Sequence, residues 1–262
     1  MRKLHTLIAA LLLLSPAINA QGRSKVDIYK DNYFTLGPSV RDGHIDIKYQ
    51  LSIKACPMEL RSGWEFYFAY TQLSVWDFFQ KSGPFHDNTY MPGFYLEKDF
   101  RESGGLTLGI EHRSNGRPYY GNPVASEEMT EDYSRGMNYL SAEWRRPVGG
   151  GIDLLLNARA GVGCGVGEYP RHEELFTQDL FLHYIGYADA GLYYDNGRLS
   201  AEVLLTPLVN KSLCNVKADV AWRFHSAWPR LFAHLHYGYD ECLCDCLPGC
   251  PPPANIRFGV KL

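Results

Sequence analysis

From about residue 26 onward, apolar side chains recur at every second position in stretches of about ten residues, a period that excludes most folds. Successive side chains of an extended strand point to opposite faces. Ile45, Ile47, Tyr49, Leu51 and Ile53 therefore share one face, and Asp46, Lys48, Gln50, Ser52 and Lys54 the other. The same split separates Phe66, Phe68 and Tyr70 from Glu65, Tyr67 and Thr71, and Leu106, Leu108 and Ile110 from Thr107, Gly109 and Glu111. It returns at Val216, Ala218, Val220 and Trp222 against Lys217, Asp219, Ala221 and Arg223, and at Ile256, Phe258, Val260 and Leu262 against Arg257, Gly259 and Lys261.

Such segments number about twelve, near 26–36, 44–54, 64–76, 90–100, 105–112, 137–145, 152–161, 179–194, 198–209, 216–226, 230–239 and 255–262. Tight connections such as Asp195-Asn196-Gly197 and the Gly149–Gly151 run alternate with long ones at 77–89, 113–136, 162–178 and 240–254. The pattern predicts an all-β fold, a twelve-stranded antiparallel transmembrane β-barrel. A soluble β-sandwich also alternates, but its strands are shorter. Aromatic residues near the strand ends (Tyr33, Trp64, Trp76, Tyr90, Trp144, Tyr193, Trp228 and Tyr239) fit a barrel standing in a bilayer.

A mean hydropathy of −0.26 does not argue against this, since a barrel wall needs only every other residue to be apolar. What it excludes is a set of helical spans, each requiring about 20 nearly uncharged apolar residues. The one comparable run is N-terminal. Arg2 and Lys3, the apolar stretch Leu7 to Leu14 and the small-residue exit Pro16 to Ala20 read as a signal peptide over 1–20, leaving 21–262 as a single barrel domain. A net charge of −3 without clustered Lys or Arg gives no basis for nucleic-acid binding.

One strand carries polar residues on its apolar face. The parity that points Leu106, Leu108 and Ile110 toward lipid also points His112 and Ser114 outward. Residues i and i+2 share a face, so the imidazole can act as general base for the hydroxyl. A third group is needed to orient the ring, and Asn138, at the loop end of the next strand's outward face, is the candidate.

These residues lie in motifs that resemble the outer-membrane phospholipase A family of Gram-negative bacteria. Glu111-His112-Arg113-Ser114-Asn115-Gly116-Arg117 resembles its His-x-Ser-Asn-Gly-Arg motif, and Ser134-Arg135-Gly136-Met137-Asn138 its Ser-Arg-x-x-Asn element. Tyr70-Thr71-Gln72-Leu73-Ser74-Val75-Trp76 and the stretch from Ser82-Gly83-Pro84-Phe85 to Tyr90-Met91-Pro92 are similar to two further family motifs. The strong part covers roughly residues 30–144; the C-terminal half agrees in strand layout.

The resemblance implies a calcium-dependent hydrolase of phospholipid acyl esters, with A1, A2 and lysophospholipase-type activity, in the outer membrane with its site toward the cell exterior. Ser114 would be nucleophile, His112 general base and Asn138 the orienting residue. Calcium would be held at Arg117 and Ser134, with Ser82 supplied by the second subunit of a homodimer. Gln72, outward between Tyr70 and Ser74, then reads as part of the dimer interface, since an amide facing lipid needs a partner. The alternative is a non-catalytic barrel with a transport or structural role.

The chain departs from the family pattern in three places. Position 113 is Arg, with a parity that points it into the barrel; the segment between Arg117 and Ser134 is long and holds Glu127, Glu128, Glu131 and Asp132; and the last residue is Leu262 rather than an aromatic. Of seven cysteines, Cys242, Cys244, Cys246 and Cys250 crowd one loop without the usual paired Cys-x₂-Cys zinc spacing, so disulfides of unassigned connectivity are expected in an exported loop, with at least one cysteine left over.

Overall fold

The structure, a computed structural model, describes residues 26–38, 44–60, 62–115, 135–162, 181–209, 213–246 and 251–262. Thirteen strands follow in order: β1 (Val26–Asp27), β2 (Tyr33–Pro38), β3 (Ile45–Glu59), β4 (Glu65–Trp76), β5 (Phe85–Asp99), β6 (Gly105–Ser114), β7 (Gly136–Gly149), β8 (Ile152–Gly161), β9 (Ala188–Asp195), β10 (Leu199–Leu208), β11 (Leu213–Trp222), β12 (Arg230–Tyr237) and β13 (Ala254–Lys261). From β2 to β13 each strand pairs antiparallel with the next, and β13 pairs back with β2. The twelve-stranded closed barrel read from the alternation is therefore the observed fold. At the seam the backbones approach closely: a Cβ on Gly259 would lie 1.9 Å from the Phe34 carbonyl oxygen, so only glycine fits opposite Thr35.

The distribution of side chains is the inverse of a soluble protein's. Phe94, Leu108, Ile110, Leu140, Leu192, Val203, Leu231 and Phe258 are exposed on the outer wall. Lys48, Asp46, Glu111, Asp219, His234, His236 and Arg257 are buried inside it. A polar interior behind an apolar outer band is the arrangement that lipid selects.

The interior is filled rather than open at the loop end. The connection after β12 folds back so that Leu243 and Cys244 are fully buried and Glu241 meets Lys48 of β3. His234 lies between Asp219 (Nδ1 to Oδ1, 2.5 Å) and Glu241 (Nε2 to Oε1, 2.6 Å), and His236 Nε2 is 2.7 Å from Asp240 Oδ1. Arg257 pairs with Asp46, and Lys217 bridges Glu202 (3.0 Å) and Asp219 (3.3 Å).

Several boundaries differ from the periodicity. The first predicted strand is broken in two. Asp27 pairs with Lys54 and Tyr33 with Gln50, whereas an unbroken ladder would put residue 31 opposite Gln50, so two extra residues bulge out. Side chains repair the gap: Asn32 Oδ1 accepts from Ser52 N (2.5 Å), Ser52 Oγ from Lys30 N (3.0 Å), and the Asp31 carbonyl from Gln50 Nε2 (2.7 Å). Strand β5 begins at Phe85 rather than residue 90, because its first residues, His86, Asp87 and Asn88, carry no apolar period. Residues 181–185, part of the predicted strand 179–194, form a turn of π-helix. Tyr33 and Tyr239 do not join an outer aromatic girdle. Both point inward, Tyr33 onto Phe232 (ring centroids 5.1 Å apart) and Tyr239 onto Tyr184 (5.1 Å).

The Glu241 contacts generate a test. Burial raises its carboxyl pKa, but His236, Lys48 and His234 outweigh that and hold it well below the ordinary value of 4.5. Removing one partner of a buried ion pair strands the other, so Glu241→Gln is expected to destabilise the barrel by about 3–5 kcal/mol at neutral pH in urea unfolding in detergent. The contribution is complete above pH 4.5 and is lost as the pH falls through the depressed folded value, so the difference between wild type and variant should shrink on strong acidification.

Candidate active site

The pairing of β6 with β7 aligns the polar exceptions. His112 lies directly opposite Asn138, and Ser114 opposite Gly136. His112, Ser114 and Asn138 are half-buried, on the same outer face as Ile110 and Leu140. His112 Nε2 stands 2.9 Å from Ser114 Oγ, and Nδ1 2.8 Å from Asn138 Oδ1. Because the Asn oxygen can only accept, Nδ1 carries the ring proton and Nε2 accepts from the hydroxyl. Gly136 keeps the space beside the hydroxyl open: a Cβ there would sit 3.4 Å from Ser114 Cβ and 3.8 Å from His112 Cε1.

A second layer inside the wall braces these strands. Glu111 accepts from Ser141 Oγ (2.5 Å) and Tyr139 OH (3.1 Å), crossing from β6 to β7 beneath the outer residues. Arg113 points inward as its parity requires, and its guanidinium donates to the Asp240 carbonyl. At the loop end Asn115 N donates to Arg135 O (3.0 Å) and Arg135 N to Asn115 Oδ1 (2.8 Å). This clasp closes the ends of the 116–134 connection right beside Ser114. Sequence reading missed it, although Asn115 and Arg135 both stand inside the quoted motifs. Between the pairs Tyr90–Ser114 and Gly93–Glu111 the β5–β6 ladder lapses at Met91 and Pro92, and Pro92 has no N–H to give.

Tyr70, Gln72 and Ser74 share the outer face of β4. Tyr70 OH donates to Gln72 Oε1 (3.3 Å), Gln72 Nε2 to Ser74 Oγ (3.1 Å), and Ser74 Oγ to Asn88 Oδ1 (2.7 Å). The chain thus satisfies part of Gln72's amide itself, through a ladder whose last member, Asn88, the sequence did not reveal. Gln72 pairs with Tyr90 and Tyr90 with Ser114, placing Gln72 level with the hydroxyl two strands away, about 10 Å along the wall.

Ser82 is exposed in the β4–β5 turn at the same end of the barrel, with a left-handed φ of 69°. Arg117, Ser134, the acidic residues 127–132, Cys164, Cys250 and the signal segment 1–20 lie outside the described residues. Among the described cysteines, Cys246 Sγ donates to the Tyr239 carbonyl (3.7 Å) and Cys244 Sγ lies 3.2 Å from His86 Nε2.

Fold and site together define a class: closed twelve-stranded barrels that carry a Ser, His, Asn hydrogen-bond relay on their apolar outer wall. Residues 14–122 match the model of a family described as Phospholipase A1, a stretch that takes in His112 and Ser114 and stops before Asn138. The resemblance stated from the motifs is thereby borne out. Two solved structures share the fold over nearly all of the chain. One is outer membrane phospholipase A from Escherichia coli, at TM-score 0.72 and 19% identity, with 94% of each chain covered. The other is a Salmonella typhi outer membrane phospholipase, described as a dimer with bound calcium, at TM-score 0.71 and 19% identity, with 93% of this chain and 94% of that one covered. Among curated proteins no sequence match is found. The family match covers less than half of the chain, and the two solved structures, at 19% identity, show the fold.

The clasp at the site can be tested without any substrate. Removing the Asn115 side chain takes the acceptor from the buried Arg135 amide, a loss of about 1–3 kcal/mol. Asn115→Ala is expected to reduce hydrogen-exchange protection of the Arg135 amide by roughly tenfold or more, with protection in β10–β12 unchanged.

Proposed function

We propose that the protein is an outer-membrane phospholipase that hydrolyses acyl esters of bilayer phospholipids, with Ser114 as nucleophile, His112 as general base and Asn138 as the residue that holds the imidazole. The observation that carries this reading is the relay Ser114–His112–Asn138 on the outer wall immediately beside an apolar platform. Ile110 and Leu140 are the next outward residues on the two strands, paired with each other, and Phe94 pairs with Ile110. All three are about half exposed. An acyl chain lying on this platform presents its ester at the level of Ser114, and burying chain against wall contributes about 25 cal/mol per Å².

His112 Nε2 takes the Ser114 proton as Oγ attacks the ester carbonyl carbon, and returns it to the departing lysophospholipid oxygen as the tetrahedral intermediate collapses. The same nitrogen then takes a proton from the water that attacks the acyl-Ser114 ester and passes it to Ser114 Oγ as that ester bond breaks and the fatty acid leaves. Asn138 keeps the proton on Nδ1 throughout. It is neutral, so it orients the ring without the charge stabilisation that an Asp lends to imidazolium.

Calcium fits the oxygen-donor positions that the resemblance implies, Ser82, Arg117 and Ser134. Ser82 stands at the correct end of the barrel, and the clasp at Asn115 and Arg135 fixes the two points from which the chain leads to Arg117 and back from Ser134. Bound there, the ion would supply Lewis-acid stabilisation of the ester oxygen as charge develops. With Ser82 contributed by a second subunit, activity is coupled to a homodimer. Gln72 keeps one amide N–H for the partner once its other contacts are counted. Among the described residues, Tyr239, Cys242, Leu243, Cys244 and Cys246 are buried at the loop end of the lumen, which lends no support to a transport role.

Ser114→Ala is expected to abolish calcium-dependent fatty-acid release from phospholipid micelles, and chelation should abolish it in wild type. Asn138→Ala should lower kcat by no more than the roughly 10²–10⁴-fold that general-base catalysis is worth, with KM little changed. Undiminished release by purified Ser114→Ala would sink the assignment.

A further inference from the structure

The Cys-rich loop that the hydrolase does not use converges on β5. Asp87, Cys242 and Cys244 are buried, and a carboxylate oxygen and the two sulfurs all lie within 4.8 Å of one another. His86 joins them, with Nε2 3.2 Å from Cys244 Sγ. Neighbours in a regular strand face opposite ways, so His86 and Asp87 should not reach one pocket. They do because the β4–β5 ladder shifts register here: Val75 pairs with Asp87 but Trp76 with Phe85, leaving His86 as the extra residue of a β-bulge, a device that re-aims a side chain. The Leu243 amide, between the two cysteines, donates to Asp87 Oδ2 (2.9 Å) and fixes the carboxylate against the loop.

We propose that Cys242, Cys244, His86 and Asp87 form a binding site for one zinc ion. Thiolate, imidazole and carboxylate oxygen are each donors that zinc accepts, and two thiolates, one imidazole and one carboxylate oxygen make up the four of a tetrahedral site. Binding releases the two thiol protons to solvent; the neutral imidazole and the ionised carboxylate release none. The Cys244 thiol is already held below its ordinary pKa by its hydrogen bond with Cys242, against the effect of burial and with help from His86. A Cys242–Cys244 disulfide would need neither the bulged histidine nor the carboxylate. The ion ties the β12–β13 loop to the β4–β5 hairpin across a sequence separation of about 156 residues, and so braces the turn that carries Ser82. It is distinct from the calcium positions, whose donors are all oxygen.

The test uses the full mature chain, folded in detergent under reductant, with zinc and cobalt(II) salts as probes. Wild type is expected to retain one zinc per chain after desalting. Replaced by cobalt, the ion should give a thiolate-to-metal charge-transfer band and the intense d–d bands of a tetrahedral site, undiminished by excess calcium. The Cys242→Ser/Cys244→Ser double variant should lose both the retained zinc and the charge-transfer band. His86→Gln, a milder change, should keep the charge-transfer band while the d–d bands shift. Heat-dependent gel mobility confirms that each variant is a folded barrel. The proposal is overturned if folded wild type retains no stoichiometric zinc, if the double variant gives the wild-type cobalt spectrum, or if chain extracted under thiol-blocking conditions carries a Cys242–Cys244 disulfide.

Discussion

Within hydrocarbon no water is available to a peptide group, and each unsatisfied N–H or C=O costs several kcal/mol. A chain of strands meets that constraint only by leaving no edge, and the pairing of β13 with β2 removes the last one. Closure then dictates the rest. Every residue of the wall must face either lipid or lumen, so the sequence alternates, and charges that would be ruinous outside gather inside and neutralise one another. Where the ladder is interrupted, side chains take over its work, as Asn32, Ser52 and Gln50 do along the broken first strand.

The same rule gives the site its geometry. A strand has only two faces, so His112 and Ser114 on one side of β6 require Glu111 and Arg113 on the other. The chain uses both. The outer pair performs the proposed chemistry, while the inner pair anchors β6 to β7 through Tyr139 and Ser141 and to the folded-back loop through Asp240. Asn138 needs no loop to carry it, because antiparallel register sets it across from His112. The relay is thus held by the β6–β7 ladder itself.

Legibility in the sequence followed physical origin. Period-two alternation reports the lipid-embedded part of a strand, and there the reading of β6, β8, β10 and the outward parity of His112, Ser114 and Gln72 agrees with the structure. Above the apolar band a strand continues with polar residues on both faces, so the period starts β5 five residues after Phe85. Tyr33 and Tyr239 were misassigned because an aromatic near a strand end suits both a membrane interface and a packed lumen, and only the neighbours Phe232 and Tyr184 decide. The Asn115–Arg135 clasp, the Asn88 end of the Gln72 ladder and the bulge at His86 depend on register across strands. Local composition carries no trace of register.

The seam has a kinetic meaning as well. Strands β2 and β13 are neighbours in the finished wall yet stand near opposite ends of the barrel sequence, so among the described residues theirs is the most non-local strand pairing and the one with the largest loop-closure entropy. Until it forms, β2 and β13 are open edges able to recruit strands from other chains. Gly259 lets those two backbones meet, and a side chain there would hold the last two edges apart and prolong that exposure.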